Sequence, residues 1–348
     1  MQTETVTKPS PAAILQMGTG FWASKVLLTA VEFELFTQLE KHPNQTVKDI
    51  KSNLDLKCTD RNTYDFLDCL SALGFLNREG LLETSRYSNT IDTGIFLDKA
   101  KPSYIGGILE MQNEQGWNVW AKLDQGLKTG LIQHDVKNNG ETIFDFISNN
   151  PEMFKKFVDG MTGVQMGNFI ALAQQFDFSN YKTLVDAGGS AGVLSVMVAK
   201  NNPHMNCTTF DLPALKSMAT ETIQKFKMAD HVKVMNGDFF KDGLPKADIV
   251  TMGNVLHDWD EETKIKLMKI AYDALPKGGV FIAIEHVIDN ERKENVFGLM
   301  MSLNMLIETG DGFNYTFDDF SKWAKKAGFS STELMPLAGP ASAAIAYK

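Results

Sequence analysis

After Tyr181 the chain alternates short apolar runs with helical segments, and this alternation restricts the fold more than any other feature. Thr183–Ala187, Cys207–Phe210, Val232–Met235, Ile249–Met252 and Val280–Glu285 read as strands. Helical patterns separate them, notably Glu261–Leu275, which stops at Pro276-Lys277-Gly278-Gly279. Strands joined through helices cannot pair as hairpins, so they predict a mostly parallel, doubly wound α/β sheet with right-handed crossovers. Phe317–Ala327 reads as one more helix, and Thr332–Leu337 and Ser342–Tyr347 as a closing hairpin. The sheet then has seven strands, one of them antiparallel.

Open α/β sheets bind ligands at the carboxyl ends of their strands, which directs attention to those ends. The first carries Leu184-Val185-Asp186-Ala187-Gly188-Gly189-Ser190-Ala191-Gly192. Small residues let a ligand approach the backbone, and the next helix offers free N–H groups. A GxGxxG pattern counted from Gly188 fails, because Ser190 and Val193 stand where it needs glycine. The run is instead DxGxSxG from Asp186, which suits a ligand with an ammonium and a carboxylate better than a dinucleotide pyrophosphate. Asp211 after the second strand can accept both hydroxyls of a ribose. Gly237-Asp238-Phe239 after the third can hydrogen-bond and stack on adenine. Taken singly, Asp211 is equally a helix cap and Asp238 a turn residue. In series the three strand ends favour a nucleoside site.

The fourth strand ends in Gly253-Asn254-Val255-Leu256-His257-Asp258-Trp259. A histidine beside a cofactor crevice is a candidate general base, since an imidazole of ordinary pKa exchanges protons near neutrality. Glu285, ending the fifth strand, can orient it, and Asp258 can instead cap the next helix. His42, His134, His204 and His231 fit surface or capping roles better. No HxxxH, CxxC or clustered carboxylate set suggests a metal.

The chain of 348 residues allows two domains. Its first hundred residues read differently from the rest. Ala12–Leu39 carries Phe21, Trp22, Val26, Leu27, Ala30, Phe33 and Phe36 around most of a helix, which suits either a buried helix or a subunit interface. Thr46 and Thr59 can cap two further helices, the second ending at Leu73-Gly74, and Phe75–Tyr87 looks like a hairpin about Glu79-Gly80. That order suggests a winged-helix unit. DNA binding is disfavoured because the would-be recognition helix carries Asp60, Arg61, Asp65 and Asp68, and the whole chain has a formal charge of −9. The same charge disfavours anionic membranes. The uncharged stretch Gly160–Phe176 holds Gln165, Asn168, Gln174 and Gln175, too polar for a membrane span. The three scattered cysteines and an N-terminus without an apolar signal core predict a reduced, soluble, cytoplasmic protein. Between Pro102 and Phe178 the pattern is helical and rich in Trp117, Trp120, Phe144, Phe146, Phe154, Phe157, Met161, Met166 and Phe169, mostly core with a minority lining a pocket.

The segments LVDAGGSAG, FDLP (Phe210–Pro213), GDFF (Gly237–Phe240), VLHDWDEE (Val255–Glu262) and LPKGG (Leu275–Gly279) follow in an order and spacing that resembles one family. It is the small-molecule O-methyltransferases similar to caffeic acid and acetylserotonin O-methyltransferases, and the resemblance covers the whole chain. It implies a Rossmann-like catalytic domain over 179–348, a winged-helix-like dimerisation domain over 1–105, and a helical connector over 106–178 contributing to the acceptor pocket. It implies a homodimer, S-adenosyl-L-methionine as methyl donor, and a small hydroxylated, aromatic acceptor. Gly188 would lie against the donor's methionine portion, Asp211 against its ribose, and Asp238 and Phe239 against its adenine. Gly189, Ser190, Leu212, Gly237 and Asn254 would complete the cofactor site. His257 would deprotonate the acceptor, steered by Glu285. Met161, Met300, Met301 and Asn304 would line the acceptor pocket, and Phe21 and Trp22 can reach a partner subunit's pocket.

The chain departs from the family pattern at several positions. Ser190 and Ala191 replace the motif's usual Gly and Thr, and Gly253-Asn254 stands where relatives carry a basic residue. The segment with a second Glu reads Gly310-Asp311-Gly312-Phe313-Asn314-Tyr315-Thr316, leaving Asn314 or Asp311 to stand in. Two alternatives follow: an enzyme of this fold that keeps the cofactor but hydroxylates or decarboxylates, or a winged-helix regulator that senses a metabolite.

Overall fold

The computed structural model describes residues 9–101, 103–134 and 151–348. Pro102, Phe144, Phe146 and the N-terminal Met1–Lys8, all used in the sequence reading, lie outside the described residues. The chain divides into two compact units, 1–115 and 116–348.

In the first unit the apolar segment 12–39 forms three helices, Ala12–Gly18, Gly20–Glu32 and Leu35–Lys41, where a single helix was expected. The second break falls at Glu34, whose φ of 54° cannot continue a right-handed helix. The break separates two environments. Ala30, Val31, Leu35, Phe36 and Leu39 are buried with Ile50, Leu67 and Leu70, whereas Ile14, Met17, Phe21 and Trp22 are exposed. Thr46 and Thr59 cap the helices Val47–Asn53 and Asp60–Ala72, each through a reciprocal capping box. Three short strands, β1 (Gln45–Thr46), β2 (Leu76–Glu79) and β3 (Arg86–Asn89), make an antiparallel wing in the order β1-β3-β2. Asp68 of the second capped helix accepts from the buried Tyr87 hydroxyl at 2.7 Å and pairs with Arg78 at 2.9 Å. Arg78 of the wing is thus engaged within the unit.

The second unit holds the sheet: β4 (Thr183–Ala187), β5 (Asn206–Asp211), β6 (Val232–Asn236), β7 (Ile249–Gly253), β8 (Val280–Glu285), β9 (Ser331–Pro336) and β10 (Ser342–Tyr347). Its order is β6-β5-β4-β7-β8-β10-β9, with β10 antiparallel to both neighbours and every other pairing parallel. Side chains alternate between the faces of a strand, and β8 shows the consequence. Ile282 and Ile284 join a core with Leu194, Val196 and Leu172, while Phe281 and Ala283 join another with Leu267, Phe320 and Ala324. All six residues of β8 are buried, as a strand covered on both sides by helices requires. The crossovers reverse direction at β4, so a crevice opens between the carboxyl ends of β4 and β7.

Candidate functional site

At the end of β4 the chain turns through Gly188 (φ 75°), Ser190 (φ 48°) and Gly192 (φ 74°) into the helix Val193–Asn201. A Cβ on Gly189 would collide with Thr209 Oγ1 and lie 2.8 Å from Asp186 Oδ2, and one on Gly188 would lie 2.7 Å from Val255 Cγ2. Backbone without side chains therefore lines this corner. Asp186 is buried beneath it and accepts from Thr251 Oγ1 at 2.9 Å. Burial, together with the charge of Asp211, pushes its carboxyl up to about 7 against that hydrogen bond.

Asp211 ends β5 and holds the turn in shape. Its Oδ2 accepts the Ser190 N–H at 2.8 Å and its Oδ1 the Leu212 N–H at 2.7 Å. Burial raises its carboxyl above the ordinary range although both N–H groups favour the anion. An acceptor-only group with lone pairs to spare beside a glycine turn suits paired hydroxyls. Leu212, 46% exposed, offers an apolar surface next to it. After β6, Gly237 passes so close to Phe210 that a Cβ would meet its ring at 2.5 Å. Asp238 accepts the Phe240 N–H at 2.9 Å and pairs with Lys241 at 2.8 Å, which hold its carboxyl below the ordinary range. Asp238, which taken singly reads as a turn residue, caps the short helix Phe239–Asp242, with the Phe239 ring 4.8 Å from that of Phe240. At the end of β7 Asn254 takes a φ of 52°, and its Oδ1 is buried with no partner among the described residues.

His257 lies on the single 3₁₀ turn Leu256–Asp258 that follows, and its side chain is buried. Glu285 embraces it. Oε1 accepts the His257 backbone N–H at 3.3 Å, and Oε2 lies 2.8 Å from Nδ1, within ion-pair reach although the ring is not turned for a straight hydrogen bond. Asp258 Oδ1 is 3.4 Å from Nε2. Burial disfavours a charged imidazole here, but the two carboxylates outweigh it and raise the His257 pKa to about 9. Of the two residues considered for the missing Glu, Asp311 is exposed. Asn314 is buried and donates from Nδ2 to the His286 carbonyl at 3.1 Å, leaving Oδ1 unpartnered among the described residues.

On the helix Val296–Glu308, Met300, Asn304 and Glu308 follow at four-residue steps and share one face. Asn304 Oδ1 accepts from Trp120 Nε1 at 2.7 Å. Met300 is exposed, Met301 half-buried, and Met161 half-buried on the helix Pro151–Gln175. Sequence reasoning passed over Glu308 and Lys264. Burial lifts the Glu308 carboxyl to about 7, with Asn304 bonding against that shift and Asp258 adding to it. Lys264 is fully buried. The position of Glu308, one helical turn beyond Asn304, was available as a signal. Nothing in the sequence marked Lys264, since a lysine in a helix reads as surface.

Glycine backbone, a carboxylate with acceptor capacity to spare and an amide oxygen unpartnered among the described residues line a crevice at the strand ends of an α/β domain, the geometry that suits a nucleoside ligand. Among the described residues no cluster of His, Cys, Asp and Glu could hold a metal, and no helix is long and apolar enough to cross a membrane. Two family models match the chain: the O-methyltransferase dimerisation domain over residues 15–98 and the O-methyltransferase domain over 120–330. The tetracenomycin polyketide synthesis 8-O-methyl transferase TcmO of Streptomyces glaucescens is 33% identical, covering 97% of each chain. The N,N-dimethyltransferase OxyT of Streptomyces rimosus is 30% identical over 93% of each. The crystal structure of human N-acetylserotonin methyltransferase in complex with S-adenosylmethionine superposes with a TM-score of 0.89 at 25% identity, covering 99% of each chain. The chain belongs to the O-methyltransferase family.

Proposed function

We propose that this enzyme moves a methyl group from S-adenosylmethionine to a hydroxyl of a small aromatic acceptor, with His257 as general base. The observation that carries the reading is the buried His257–Glu285 pair, 2.8 Å between Nδ1 and Oε2, beside the crevice at the ends of β4 and β7. When bound, S-adenosylmethionine supplies an electrophilic methyl on a sulfonium. Gly188, Gly189 and Ser190 accommodate its amino-acid end, Asp211 and Leu212 its ribose, Gly237, Asp238 and Phe239 its adenine, and the free Oδ1 of Asn254 one of its N–H donors. A phenol of pKa near 10 is a poor nucleophile at neutral pH. The neutral form of His257, which gains population as pH rises towards its pKa of about 9, takes the phenol's proton at Nε2, while Glu285 holds the ring by charge at Nδ1 and anchors its turn through the backbone N–H. Such a base is worth roughly 10²–10⁴-fold in rate.

The aromatic acceptor is inferred from relatives such as TcmO and from the Met300, Met301 and Trp120 side chains around Asn304. Met161 is assigned to the same pocket, within a connector over 106–178 that precedes the catalytic domain over 179–348. The exposed apolar face of Ile14, Met17, Phe21 and Trp22, in the segment matched by the dimerisation model, supports a homodimer through residues 1–105. Three free cysteines suit the reducing cytoplasm.

The test is His257→Ala assayed against hydroxylated aromatics with labelled methyl donor. The expected result is loss of transfer with donor affinity nearly unchanged by calorimetry. Full activity in the variant removes the base assignment.

A further inference from the structure

Lys264, which the sequence reading passes over, is a fully buried charge. Lys264 sits in the first turn of the helix Glu261–Ala274, and its side chain has no solvent exposure. A buried ammonium costs several kcal/mol unless it is well partnered, and an apolar side chain of similar length would fill the space more cheaply. Stability alone gives no reason for a charge here.

Its partners suggest another reason. Lys264 Nζ donates to the carbonyl of Trp259, two residues beyond His257, and lies 3.5 Å from the centre of the Phe313 ring. Phe313 belongs to the segment 310–316, which packs on the backbone of the His257 turn. A Cβ on Gly312 would lie 2.6 Å from the His257 carbonyl oxygen and 2.8 Å from Asp258 C. Two residues beyond Gly312, Asn314 donates to the carbonyl of His286, next to Glu285. Lys264 therefore ties the end of the His257 turn to the 310–316 segment packed on that turn's backbone. Among the described residues no carboxylate oxygen lies within ion-pair distance of Nζ. Its charge acts instead on the acidic groups around it: Glu285 of β8, Asp258 of the 3₁₀ turn, and Asp260 and Glu261 at its own helix start. His257 meets Glu285 and Asp258 from the same side of the balance, with His286 and Glu308 further out.

We propose that Lys264 is a positioning residue for the methyl-transfer base, its ammonium tying the His257 turn to the 310–316 segment and offsetting the two carboxylates that flank the imidazole. The inference rests on His257 being that base. Burial draws the ammonium's pKa down to about 8 against the pull of Glu285 and Asp258, so the two cations compete for the same carboxylates. Removing one must strengthen the other's hold on its proton.

The experiment compares Lys264→Met and Lys264→Gln in the full-length protein. His257 is titrated by NMR of ¹⁵N-labelled imidazole, its signal assigned by loss in His257→Ala, and the pH dependence of kcat is recorded alongside. Both variants are expected to shift the His257 titration upward by on the order of half a pH unit or more. The acid limb of kcat moves the same way, with KM for the acceptor little changed. Lys264→Gln keeps a donor for the Trp259 carbonyl, so it gives the same readout should the Met variant fail to fold. A folded variant whose His257 titrates as in the native protein overturns the inference. A shifted titration with an unmoved kcat profile supports the Lys264–His257 coupling and instead refutes His257 as the base.

Discussion

Glu285→Gln removes one buried negative charge from against the imidazole while keeping the shape of the side chain. In the native protein burial works against a charged His257, yet Glu285 at 2.8 Å and Asp258 at 3.4 Å raise its pKa from 6.5 to about 9. That rise corresponds to roughly 3 kcal/mol in favour of the charged ring. The glutamine still offers an amide oxygen to Nδ1 but leaves Asp258 as the nearest anion, so His257 should lose ~1–2 pH units of basicity. NMR titration of the ring reads this directly. The sign also fixes how stability depends on pH. Because the folded-state pKa is raised, the pair stabilises the fold fully below pH 6.5, and that contribution is lost as pH rises through about 9. The Tm gap between native protein and variant should therefore be widest near pH 6 and should narrow by pH 9.5 or above. In the rate profile the acid limb moves to lower pH while the plateau falls, because a weaker and less firmly held base transfers the proton more slowly. A native His257 titrating at or below its ordinary value, or equal titrations in the two proteins, refutes the reasoning.

Asp211→Ala should weaken S-adenosylmethionine binding by ~10-fold or more in calorimetry, since the variant loses the ribose acceptor and the bond that shapes the Ser190 turn at 2.8 Å. Ser190→Gly should raise Tm by about 2 °C in a thermal melt, because a φ of 48° costs an L residue ~1–2 kcal/mol and the glycine's chain entropy offsets only part of that. Met17→Glu with Trp22→Glu should turn a dimer into a monomer by size-exclusion chromatography with light scattering, since those side chains are 82% and 64% exposed on one chain. An unchanged dimer moves the interface elsewhere.

The sheet was legible because its signals are local. Val280–Glu285, Phe317–Ala327 and Ser342–Tyr347 lie at the residues the apolar pattern marks, and the strand ends carry the turn residues that a ligand-binding crevice needs. The two breaks in segment 12–41 were not legible; at the second, Phe33 and Phe36 continue the apolar pattern across Glu34 and only the backbone angle there reveals the stop. His257 and Glu285 were legible as strand-end residues 28 positions apart, while the contact that makes them a pair depends on β7 and β8 lying side by side. Lys264 and Glu308 were not, for a different reason. Sequence pattern assigns a charged helical residue to solvent, and only packing shows that Phe313 covers one and that Asn304 engages the other.

Those two residues change how the acidic character of the chain is understood. A net charge of −9 spread over a surface would do no more than keep anions away. Here Asp186, Asp211, Asp258 and Glu308 are all buried deeply enough for their carboxyls to rise above the ordinary range. Burial makes each anion costly, and the cost falls when a cation arrives. A sulfonium-bearing nucleoside meets that need where a pyrophosphate would aggravate it. The Lys264 ammonium meets it below its own pKa of about 8, held at the Trp259 carbonyl and against the Phe313 ring. While Lys264 carries its charge, Glu285 and Asp258 hold His257 less tightly than they would alone, and a base that can release its proton is one that can turn over.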